Sequence, residues 1–165
     1  MPNRIAHKPV ALQVKVTLLD VEPPIWRRVL LLDSTSLRKL HHIIQALMGW
    51  QNYHLHAFEI DGVRYGPTEL GLDDSTMISE WGLTLWGFRQ AKADIFRYEY
   101  DFGDDWWCAI EIEGELPTKR GARYPICLEG ERAGPPEDSG GPPGYEDKLA
   151  ILQDPTHEEY EDLVE

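Results

Sequence analysis

What this chain lacks narrows its function first. It holds two cysteines, Cys108 and Cys127, and no CxxC pair, so it encodes neither a disulfide framework nor a local zinc knuckle; in a reducing compartment they read as thiols or as scattered ligands. There is no HExxH helix, no serine-recombinase signature and no helix-turn-helix pattern. The triplet Asp101-Phe102-Gly103 has no HRD-type loop or glycine-rich phosphate loop to accompany it, which removes a kinase reading. No run of about 18 apolar residues occurs, and Met1 to Val10 lacks the apolar segment of a secretory signal. The expectation is a cytoplasmic protein with no membrane contact.

Positive charge is scarce beyond the first part of the chain. Residues 1–66 carry eight Lys/Arg against five Asp/Glu, whereas residues 67–165 carry eight against 24, for a net charge of −13. Such a surface repels phosphate backbones, so direct nucleic-acid binding is disfavoured. A local basic face of Arg27, Arg28, Arg38 and Lys39 is the weaker alternative; solvated strand and helix faces would look the same.

At 165 residues one domain is expected. Val10, Leu12, Val14, Val16 and Leu18 alternate with more polar residues, the period of a half-buried strand. After the Asp20 to Pro24 break, Ile25 to Leu32 reads as its hairpin partner. Asp33, Ser34 and Thr35 can cap a helix whose apolar stripe runs Leu37, Leu40, Ile44, Leu47 and Met48, with Gly49 as its stop. Tyr53 to Ile60 and Val63 to Tyr65 flank an Asp61-Gly62 turn. Pro67 to Trp86, with Asp73, Asp74 and Glu80, is irregular with a short helix or turn. Ile95 to Phe102 and Trp106 to Glu113 form a second hairpin around Gly103 to Asp105. The expected fold is α+β: a mixed β-sheet with one main helix across a face, β-grasp-like, and a β-rich core over about residues 8–116. Residues 117–145 are expected to be a long Pro/Gly loop, because Tyr124 to Tyr145 has little apolar periodicity. Residues 146–165 read as a tail of short helices.

The blocks IWRRV (Ile25 to Val29), LHHIIQALMGW (Leu40 to Trp50), HLHAFEI (His54 to Ile60), YDFGDDW (Tyr100 to Trp106), PPEDSGGPPGYE and DPTHEEYED resemble, in the same order, those of the plasmid pRiA4b open-reading-frame-three-like family. Some of its members are labelled resolvases or are fused to repressor-type DNA-binding domains. The resemblance thus implies a link, through a partner, to mobile-element or DNA-processing proteins. It also implies that Cys108 stands where many relatives have His, and Ala133 and Ser139 where some have Cys, so a metal site in such relatives would be rebuilt here.

Three constellations could carry function. His54 and His56 share a strand face, and with Cys108, Cys127 or an aspartate of the 101–105 turn they could supply the N, S and O ligands that zinc takes; the structural alternative is polar rim and small buried thiols. Asp101, Asp104 and Asp105 could divide acid and base roles, against the ordinary use of aspartates in hairpin turns. Six Trp and seven Tyr exceed what packing demands, and His54, His56, Trp106, Trp107, Tyr124 and Tyr145 could line a protein- or peptide-binding surface beneath the Pro/Gly loop. The leading expectation is a non-catalytic binding or adaptor module. The alternative is a metal-assisted hydrolase at the end of the 98–113 hairpin.

Overall fold

The computed structural model describes residues 7–68 and 76–165; residues 69–75, with Asp73 and Asp74, lie outside the described residues, as do residues 1–6. Strands β1 (Ala11–Leu18) and β2 (Ile25–Leu32) precede helix α1 (Leu37–Met48). Then come β3 (His56–Ile60), β4 (Val63–Gly66), β5 (Ile78–Ser79), α2 (Leu85–Gln90), β6 (Ile95–Tyr100), β7 (Trp106–Leu116), β8 (Ile126–Glu131), α3 (Gly141–Leu152) and α4 (Tyr160–Val164). The eight strands form one sheet in the order β5-β4-β3-β6-β7-β1-β2-β8. Every pairing is antiparallel except β4 with β5. The fold is thus mixed α+β, a mostly antiparallel sheet with few helices among the described residues.

Period-2 alternation decides which face is buried. Val14, Val16 and Leu18 of β1 pair with Ile112, Ile110 and Cys108 of β7, and the last two with Phe96 and Tyr98 of β6; all are buried. The opposite face carries charge, as an antiparallel sheet with one wet side should. There Arg28 bridges Glu113 and Glu129, Arg64 meets Glu99, and Arg97 lies 4.5 Å over the Trp107 ring.

Helix α1 covers the apolar face. Ser36 Oγ accepts from the Lys39 amide at 3.0 Å, and Gly49 ends the helix at φ +76°, a conformation that costs a residue without Cβ little. Leu37, Leu40, Ile44 and Met48 point into the core.

The structure departs from expectation in three places. Ile95 to Phe102 stops as a strand at Tyr100, because Asp101 adopts φ +58° and turns the chain; Phe102, which alternation places inside, is 38% exposed. Residues 117–145 are not loop throughout. Ile126–Glu131 pairs with β2 and closes its open edge, and it shows no alternation because all six residues are exposed. The Pro142-Pro143 pair opens helix α3 rather than extending a loop, since the first helical turn needs no amide donors. Among the described residues no helix is long and apolar enough to cross a membrane.

Candidate functional site at the end of the second hairpin

The site is assembled from three chain segments. The first follows α1. Asn52 at φ +57° bends the chain outward, and strand pairing resumes only at His56, so His54 sits in the connection and not in β3 itself. The Tyr53 amide donates to the Tyr100 hydroxyl at 3.1 Å, and the Asp101 amide donates to the Leu55 carbonyl at 2.9 Å. These two bonds pin the connection beside the hairpin end.

The second segment is the 101–105 turn. Asp101 Oδ1 accepts from the amides of Gly103 and Asp104 at 3.1 and 3.2 Å, which leaves Oδ2 facing His54 Nε2 at 3.4 Å. Asp104 and Asp105 turn elsewhere. Asp104 Oδ2 accepts from the Gly140 amide at 3.0 Å, and Asp105 Oδ1 accepts from Trp107 Nε1 at 2.7 Å.

The third segment, residues 134–141, lies across both. Trp50 Nε1 donates to the Pro135 carbonyl at 2.9 Å. Two glycines permit the close approach: a Cβ on Gly134 would stand 2.1 Å from the Met48 carbonyl oxygen, and one on Gly141 2.2 Å from that of Asp104. Glu137 Oε1 accepts from the Tyr100 hydroxyl at 2.8 Å and from the Gln51 amide at 2.7 Å. Burial, reinforced by the Glu137 carboxylate, pushes the Tyr100 phenol well up, so it acts as a neutral donor. Beyond the hairpin, Tyr145 packs edge-on against Trp106, and Trp50 stacks on Tyr100.

The product is a His54 imidazole surrounded by carboxylates. Its Nε2 lies 2.8 Å from Asp138 Oδ1, 3.4 Å from Asp101 Oδ2 and 3.8 Å from Glu137 Oε2. Ligand atoms of His54, Asp101 and Asp138 all fall within 4.8 Å of one another. Ligands held about 2.1 Å from one divalent ion sit roughly 3–3.5 Å apart, so the spacing suits a small cation after slight closure. One imidazole nitrogen can offer one proton to one acceptor, and so cannot satisfy three carboxylates.

His54 and Asp101 also line a cleft of about 490 Å³, whose other walls include Arg38, His41, His42 and His56. His56 is buried, with Nε2 2.8 Å from Glu80 Oε2, and its ring stacks on His41 at 3.5 Å and 10°. His41 Nε2 donates to Asn52 Oδ1 at 2.8 Å, so Nδ1 accepts from the Tyr98 hydroxyl at 2.7 Å, and Tyr98 in turn accepts from Gln45. Burial, together with the neighbouring His56, lowers His41 to about 3, leaving it a neutral spacer.

The candidate residues therefore separate. His54 and Asp101 meet; His56 lines the same cleft but is engaged by Glu80. Cys108 is fully buried between Leu18 and Tyr98, its thiol pushed up to about 12 by burial. Cys127 is exposed on β8. Neither cysteine belongs to the group around His54. Trp106 and Tyr145 are core, and Trp107 lies on the charged face. The Tyr124 hydroxyl accepts from the Lys119 amide, and Tyr124 borders a separate groove with Ser34 and Ile43. Glu137 and Asp138 were not singled out from sequence, although the PPEDSGG block contains them.

A model of the plasmid pRiA4b ORF-3-like protein family matches residues 10–165. The chain belongs to that family. The uncharacterized protein y4hQ of Sinorhizobium fredii is 38% identical over 153 residues, 93% of this chain and 78% of that one. The crystal structure of MM3350 from Methanosarcina mazei, a protein of unknown function, aligns with a TM-score of 0.85 at 38% identity, over 96% of this chain and 89% of the other.

Proposed function

We propose that this pRiA4b-family protein is a metal-assisted hydrolase, with a divalent cation held by His54, Asp101 and Asp138 at the end of the β6–β7 hairpin. The observation that carries the reading is the convergence of carboxylates from two distant segments on one imidazole nitrogen, at 2.8, 3.4 and 3.8 Å. An imidazole with two or three carboxylates is a donor set that would suit zinc, manganese or magnesium, and two of its members, His54 and Asp101, also line the cleft. When bound, such an ion polarises a substrate oxygen and makes water acidic enough to attack at neutral pH. The chain's own residues supply the rest. Asp101 is oriented by two backbone amides, and Glu137, fixed through one oxygen by Tyr100 and Gln51, holds its other oxygen 3.8 Å from His54 Nε2.

The test is metal content of protein purified without added metal, followed by p-nitrophenyl phosphate and p-nitrophenyl acetate hydrolysis with and without Zn²⁺, Mn²⁺ or Mg²⁺. Metal-stimulated turnover lost in His54→Ala supports the reading. Absence of both bound metal and metal-induced stabilisation would remove it.

One observation favours the second reading, a binding or adaptor module for a protein or peptide partner. An apolar groove of about 500 Å³ runs along Ile60, Val63, Leu83, Trp86 and Phe88, with Trp86 39% exposed, and aromatic anchors of this kind dominate protein recognition. A partner recovered by the wild type and lost with Trp86→Ala would support it.

A further inference from the structure

We infer that Arg38 is the anion-binding arm of the cleft and that the molecule the cleft accepts is small and carries an oxyanionic group, a phosphate or a carboxylate. Calling that molecule a substrate rests on the hydrolase reading above; its recognition by Arg38 does not.

Arg38 supplies the only permanently cationic side chain among the described residues lining the cleft. It stands at the second position of α1, with its side chain 42% exposed. Its guanidinium lies 4.7 Å over the Trp81 ring, and Nη1 is 3.8 Å from Glu80 Oε1, beyond hydrogen-bond reach. Glu80 is wholly buried. One of its oxygens meets His56, and the other, Oε1, is the buried side-chain polar atom without a hydrogen-bond partner among the described residues.

A buried carboxylate and an aromatic face therefore hold the guanidinium from behind, while its donors make no hydrogen bond among the described residues. It contrasts with the arginines of the sheet. Every arginine on the sheet strands, Arg27, Arg28, Arg64 and Arg97, donates to a carbonyl or a carboxylate. A planar fork of five donors, positioned without using any of them, is suited to a bidentate oxyanion. Removing Arg38 for purely structural reasons would be costly as well, because it faces the charge of Glu80, so stability alone cannot identify its role.

The rest of the molecule limits the ligand. With 24 acidic residues beyond residue 66, the surface opposes long polyanions, whereas a small anion entering a cleft of about 490 Å³ meets Arg38 on one wall and the exposed His42 beside it. The His54 and Asp101 wall would then receive the remainder of the molecule.

Calorimetric titration with inorganic phosphate and, separately, acetate tests this on the full chain, first in EDTA and then with added Mn²⁺. The wild type is expected to bind at least one anion in EDTA. Arg38→Met should weaken that binding roughly tenfold or more, and Arg38→Lys, which keeps the charge near Glu80 but loses the fork, by several-fold. Thermal unfolding of each variant confirms that it is folded. Cys127→Ser, on exposed β8 and outside the cleft, should leave the EDTA affinity unchanged, and because this titration is run in EDTA, absence of a metal site would not disturb its result. Phosphate binding without acetate assigns a phosphate, and the reverse assigns a carboxylate. No binding of either anion by the wild type, or wild-type affinity in both folded Arg38 variants, overturns the inference.

Discussion

The Tyr100 hydroxyl donates to Glu137 Oε1 at 2.8 Å while accepting from the Tyr53 amide at 3.1 Å. One phenol thus joins the hairpin, the connection carrying His54 and the segment that brings Glu137 and Asp138.

Tyr100→Phe removes only that oxygen. Loss of a hydrogen bond to a charged group, with a partner left partly buried, costs about 1–3 kcal/mol. The expected outcome is a variant that melts lower by denaturant titration and binds Zn²⁺ or Mn²⁺ more weakly than the wild type. A variant with unchanged stability and metal affinity would show that the three segments hold together without it.

Gly141 has φ +70°, and its missing Cβ faces the Asp104 carbonyl oxygen at 2.2 Å. Gly141→Ala therefore meets both backbone strain and a backbone clash, and about 2 kcal/mol or more of destabilisation is expected. Because α3 begins here, undocking should appear first as faster amide exchange around residues 135–145. Exchange unchanged there, with a wild-type melting curve, would contradict the contact.

The two thiols should differ sharply. Cys108 is buried and its thiol is pushed up to about 12, whereas Cys127 is exposed. Reactivity follows the accessible thiolate, so a colorimetric thiol reagent should titrate one cysteine in native protein and two after denaturation. Cys127→Ser should abolish the native reaction; two rapid native equivalents would be inconsistent with the core placement of Cys108.

His41 links stability to acid. Its folded value, lowered to about 3 by burial and by His56, lies below the ordinary value near 6.5, so the unfolded chain binds more protons between those limits. Stability contributed by neutral His41 is complete above about pH 6.5 and is lost as pH falls toward 3. The stability curve of His41→Gln should be flatter across that window, and the wild-type His41 ring signal should show no titration above pH 5. A ring that titrates near 6.5 would refute the assignment.

Much of the scaffold was legible because it follows from periodicity and end chemistry. The β1 alternation, the apolar stripe of α1 and its Gly49 stop depend on neighbours within a few residues, whereas the N-cap falls at Ser36, one residue beyond the Asp33 to Thr35 candidates. Phe102 was misplaced because alternation cannot foresee Asp101 turning left-handed. The β8 strand has no buried face to leave a pattern, and Pro142-Pro143 serves a helix start as readily as a loop. At the site, His54 and the aspartate turn stood out by residue type. Choosing Asp101 over Asp104 and Asp105 required the turn geometry, and Glu137 and Asp138 required the docking of a segment more than 30 residues downstream.

That docking gives the site a temporal character. During synthesis the β6–β7 hairpin and His54 emerge well before Asp138, so a nascent chain halted at Leu116 could form seven of the eight strands yet offer a cation only His54 and Asp101. On the metal reading, full affinity would arrive only when the segment containing Gly134 to Gly141 settles against Met48 and Asp104. A cation that prefers the settled form would shift the population toward it by its differential affinity, making metal uptake a readout of completed maturation and its release a signal of early C-terminal fraying.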